Sequence, residues 1–154
     1  MKRRILIFTL AIFCLSLLAM PAAAQKGLNG TWGWESKPNK KKWRDTVWVD
    51  IKQTGNTVKG GITISGYSPD EEDGSDAPIT PFIGTVKGNV ITIEFDANDT
   101  SPINGEPMPK YVRRKGGAPN TATLKLVGGK LEFTQTKGSI GKGYPSSFVL
   151  TKNR

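Results

Sequence analysis

Residues 46–65 read TVWVDIKQTGNTVKGGITIS. In the first half Val47, Val49 and Ile51 occupy alternate positions, and in the second half Val58, Ile62 and Ile64 share a face in the same way. A two-residue period puts the apolar side chains on one face of a strand and the polar ones on the other. Between the halves stands Gly55-Asn56, a pair that tolerates the positive φ demanded by a two-residue hairpin turn. The stretch reads as an antiparallel hairpin, apolar on one side and wet on the other. Trp48 falls on the wet side. Either it lies outside the fold as a contact patch, or the register of that strand is displaced by one residue.

The same grammar extends in both directions. Before the hairpin, residues 30–34 (GTWGW) form a short aromatic strand; after it come strands at 81–87, 90–96, 121–127, 130–136 and 147–152. No sustained 3.6-residue period interrupts them. Gly88-Asn89 and Gly128-Gly129 repeat the tight-turn signal, whereas the links at 35–45, 66–80, 97–120 and 137–146 are long. Tight and long links alternate. In a meander, alternate links lie at opposite ends of the sheet, so all tight turns belong at one end and all long loops at the other. Eight such strands close most economically into a barrel, which leaves no edge exposed. The expected fold is an all-β, eight-stranded antiparallel up-and-down barrel spanning residues 25–154 as one domain.

In this arrangement the chain resembles the calycin group, lipocalins and avidins in particular, and Gly30-Thr31-Trp32 stands where their first strand often carries Gly-x-Trp. The resemblance implies a barrel with a closed end and a mouth ringed by long loops. It covers nearly all of residues 30–152 as topology. The chain ends directly after strand eight, where lipocalins usually carry a packed helix, and the paired Trp rims of biotin binders have no counterpart. What carries over is the architecture, not a ligand.

Residues 1–24 have a different character. Lys2, Arg3 and Arg4 precede an uncharged, mostly apolar run at 5–20, and Pro21-Ala22-Ala23-Ala24 supplies small residues before Gln25. This is the three-part pattern of a secretory signal peptide. The strongly apolar part is shorter than the roughly 20 residues a membrane span needs. The expectation is an exported chain, periplasmic or secreted and bacterial, with no membrane span after cleavage. Removal of 1–24 leaves 19 basic against 13 acidic residues, a charge of +6.

Composition excludes several chemistries. The 154 residues contain no His, and the single Cys14 lies in the leader. Imidazole bases, His-dependent nucleophiles, thiolate catalysis, Cys-based metal sites and disulfides therefore have no residues to act through. Glu94 and Asp96 alternate with Ile93 and Phe95 and so point outward, unlike the paired acids of a glycosidase cleft. The acids at 70–76 do not follow the alternating calcium-loop pattern. That acidic loop also interrupts the basic loops around it, as a nucleic-acid surface would not. No enzyme, no metal, no cofactor and no nucleic-acid partner is expected.

The polar-tipped aromatics and the arginines fall in or beside the long loops. Trp43, Tyr67, Tyr111, Arg113, Arg114 and Tyr144, with Trp34 on the inner face near the mouth, form the candidate ligand-binding set. Such rings suit a rim, and the Arg pair suits an anionic group. The expected function is binding of a hydrophobic or amphipathic ligand at the loop-bearing end by a monomer. The alternative is a filled barrel that binds or inhibits a protein. A His-free enzyme is the third reading.

Overall fold

The computed structural model describes residues 27–67, 77–96, 110–113 and 116–153. Residues 1–24, expected from their sequence to be a signal peptide and holding Cys14, lie outside the described residues, as do the acids at 70–76, Arg114 and the Tyr67 side chain.

Eight strands follow one another: β1 Gly30–Glu35, β2 Arg44–Thr54, β3 Thr57–Tyr67, β4 Ile79–Lys87, β5 Val90–Phe95, β6 Asn120–Val127, β7 Lys130–Lys137 and β8 Ser147–Lys152. Each pairs with its sequence neighbour, and β1 pairs with β8, giving a closed antiparallel up-and-down barrel. The hairpin at 46–65 is longer than its apolar pattern. Its ladder runs from Arg44↔Tyr67 to Thr54↔Thr57.

The tight turns follow their residues. Gly55 and Gly88 have φ of 59° and 62°, and each is followed by an Asn that does not adopt positive φ. That combination suits a II′ turn, which needs positive φ only at its first central residue. Gly128 and Gly129 are both positive, at 56° and 78°, as an I′ turn requires.

The inner faces meet in one core containing Trp32, Phe82, Phe95, Phe133 and Phe148 among Val, Ile and Leu. Phe133 and Phe148 are cross-strand partners and stack with centroids 4.6 Å apart; Trp34 tilts onto Phe148 at 5.0 Å. Trp48 pairs with Gly33 on the outer face, so the register stands and the ring lies outside.

Three aromatics lie over glycines of adjacent strands. A Cβ on Gly33 would come 2.3 Å from the Trp48 ring, one on Gly60 2.4 Å from the Phe82 ring, and one on Gly66 2.5 Å from the Trp43 ring. A missing side chain is thus matched each time by an oversized one beside it, which is how a sheet covers its glycines. At Gly60 the demand is strictest, because the Cβ would also meet the Asp50 carbonyl at 1.9 Å.

Candidate functional site

The loop-bearing end is occupied by the protein itself. The β7–β8 link folds inward, burying Ile140 in the core with Tyr144 packed against it. The Tyr144 hydroxyl donates to the Ser65 carbonyl at 3.0 Å, crossing to β3. Burial, and secondarily the charge of Asp45, raise the Tyr144 pKa, so the hydroxyl stays protonated. Trp43 lies over Gly66 and donates its indole N–H to Asp45 Oδ1 at 3.2 Å. The space left beside this cap is about 50 Å³ and is lined in part by Ile140, Tyr144 and Gln135.

The opposite end is sealed by residues before β1. Leu28 is fully buried in the core, and Asn29 Oδ1 accepts from the Gln53 backbone N–H at 2.6 Å, close to the first tight turn. Trp32 donates its indole N–H to the Leu28 carbonyl at 2.8 Å. Over its ring, 5.4 Å from the centroid, sits the Lys152 ammonium, which donates to the Gly27 carbonyl at 2.7 Å. Strand β8, the Trp32 ring and the segment before β1 are thereby tied together.

The sequence-derived set divides. Trp34, Trp43 and Tyr144 come to the loop-bearing end, each engaged with neighbours that pin or cap it. Tyr111 and Arg113 do not join them. They lie outside the barrel wall, where the Tyr111 hydroxyl donates to Glu94 Oε1 at 2.7 Å and Arg113 Nε approaches the same oxygen at 3.4 Å. Outward-facing Glu94 draws this segment back along the wall rather than across the mouth. Burial, the hydrogen bond to Glu94 and the charge of that carboxylate push the Tyr111 pKa up to about 12, with Arg113 opposing.

Beneath that segment is a cavity of about 480 Å³ that sequence reasoning did not anticipate. It is lined by Gly30, Asp50, Ile51, Lys52, Lys59, Gly60, Phe82, Ile83, Lys110 and Tyr111. Lys59 pairs with Lys52 on one side and with Ile83 on the other, and Ile83 with Glu94. These residues form one row on the outer face, and the cavity lies on that face. Its volume falls in the range of small-molecule sites. The surface is mainly apolar, with Ile83 half-exposed on it. Asp50 is the acid among these residues, and its carboxylate accepts from the Thr31 hydroxyl.

The one sequence signal available was the run of outward residues Lys52, Lys59 and Ile83 facing each other across strands. Tyr111 belongs to both the sequence-derived set and the groove. Among the described residues no group of three or more acids could hold a metal ion, and no helix is long and apolar enough to cross a membrane. No protein family, curated protein or solved structure matches the chain.

Proposed function

We propose that the chain is an exported, calycin-like barrel that binds a hydrophobic or amphipathic ligand, and that the ligand lies in the outer-wall groove beneath Lys110 and Tyr111. The observation that carries this reading is the 480 Å³ cavity with its mainly apolar surface. An apolar space of that size with a few polar groups at its margin is the usual form of a small-molecule site. The interior favours this location, since an eight-stranded barrel either fills itself with side chains or holds one small ligand. Here Trp32, Phe82, Phe95, Phe133 and Phe148 occupy the inside, and Ile140 and Leu28 enter from the two ends.

The test is native mass spectrometry of the purified protein, looking for a bound small molecule before and after adding a single-chain amphiphile. Uptake at one molecule per chain, lost in Ile83→Ser, supports the reading. Failure to take up any amphiphile overturns it.

A second reading, a filled barrel that binds a protein, is favoured by the capped loop-bearing end and by the exposed Trp48 ring. It expects association in solution that weakens in Trp48→Ala and is unaffected in Ile83→Ser.

A further inference from the structure

The groove carries more positive charge than its apolar surface explains. Lys52 and Lys59 stand directly opposite each other on β2 and β3, and both are exposed. Like charges facing across a strand pair repel and weaken the sheet. Lys110 brings a third ammonium from the segment anchored on Glu94. Among the described residues none of the three is in an ion pair. Asp50, the acid on the lining, accepts from Thr31 and offsets only one of the three charges, so the groove stays net positive.

We infer that the groove selects an anionic single-chain amphiphile, with its acidic head at the Lys52–Lys59 pair and its chain along Ile83. This rests on the reading of the groove as the ligand site and names the ligand class. An anion between the two ammonium groups turns their repulsion into attraction on both sides. The apolar wall beneath strengthens that attraction by excluding water from one side of the charges. A neutral head leaves the repulsion in place. A cationic head adds to it. A carboxylate and a phosphate monoester share the required chemistry, because Lys acts as a point charge that pairs with either anion without a fixed geometry.

The experiment is calorimetric titration of the purified protein with decanoate, decanol and acetate, at low and at high salt. Decanoate is expected to bind about tenfold or more tightly than decanol, and to lose that advantage at high salt, where the charges are screened. In the Lys52→Gln/Lys59→Gln protein the two ligands should bind alike. Its denaturation midpoint should stay unchanged or rise, because the repulsive pair is gone, so lost selectivity cannot come from lost folding.

Equal binding of decanoate and decanol to the unaltered protein overturns this inference while leaving the groove as a ligand site. Absence of binding by both overturns the groove reading as well. Undiminished preference for decanoate in the double variant overturns the assignment to Lys52 and Lys59. Acetate binding as tightly as decanoate, or binding to anionic vesicles without uptake of free decanoate, overturns the single-chain amphiphile.

Discussion

Trp32 is the residue whose removal tests the architecture most directly. The side chain is 1% exposed, its indole N–H satisfies the Leu28 carbonyl at 2.8 Å, and Lys152 lies over its ring. Replacement by alanine removes a large buried aromatic, which costs about 3–5 kcal/mol. It also leaves the Leu28 carbonyl without its donor, adding about 1 kcal/mol or more. A domain of this size is stable by about 5–15 kcal/mol in total, so Trp32→Ala should sit close to the threshold of folding. Trp32→Phe separates the two contributions. It keeps an aromatic ring in the core but no N–H, and should cost about 1–3 kcal/mol. Lys152→Met probes the ammonium. A cation on an exposed side chain over a ring contributes roughly 0.5–1 kcal/mol; phenylalanine keeps a π face, so a double-mutant cycle between Trp32→Phe and Lys152→Met should give a coupling below that range. Urea unfolding followed by circular dichroism measures all five proteins, the double variant included, without depending on tryptophan emission. The midpoints should fall in the order wild type, Trp32→Phe, Trp32→Ala at a common slope. A Trp32→Ala midpoint within about 1 kcal/mol of wild type would refute the role of this ring in tying the end of the barrel together.

Gly88→Val places a β-branched residue at a φ of 62°; it should destabilise by about 1–2 kcal/mol in a denaturant titration, with ligand binding by the folded protein unchanged. Tyr144→Phe deletes the hydroxyl bonded to the Ser65 carbonyl and should cost about 1 kcal/mol, measured as a lower unfolding midpoint. Because the Tyr111 pKa is raised to about 12 from an ordinary 10, the native chain keeps a proton that the unfolded chain releases in that interval. The associated stability is fully present below pH 10 and declines as the pH rises to about 12; unfolding curves across this window should show a decline that Tyr111→Phe lessens.

The barrel could be read from the sequence because its determinants are local. Alternation at Val47, Val49 and Ile51 sets a face, and Gly55-Asn56 sets a turn, each within a few residues. The long links were legible in composition but not in direction. Which way the segment holding Tyr111 folds depends on Glu94, a partner 17 residues away whose acceptor could not be inferred from the loop. Ile140, in the long link at 137–146, turns into the core because the end of the barrel is otherwise open there. The groove was harder still. It is a property of four neighbouring strands and an overlying segment, and no single strand carries its pattern. The sequence-derived choice of Tyr111 met the groove for a different reason from the one that selected it.

The closure of the cylinder is uneven, and this has a consequence for how it is made. Strand β1 is registered with β2 along six residues, Gly30↔Ile51 to Glu35↔Thr46, but with β8 only at Trp32↔Lys152 and Gly33↔Thr151, with Asn153 donating to the Thr31 carbonyl. Every other pairing joins strands adjacent in the chain and can form as they are synthesised. The seam cannot. Until β8 emerges, a nascent chain can assemble at most an open seven-stranded sheet with two raw edges and an apolar inner face, the kind of surface on which chains pair with one another. Strand β8 thus converts an adhesive sheet into a closed solid, and the interval before it emerges is when this chain most needs protection from its own copies.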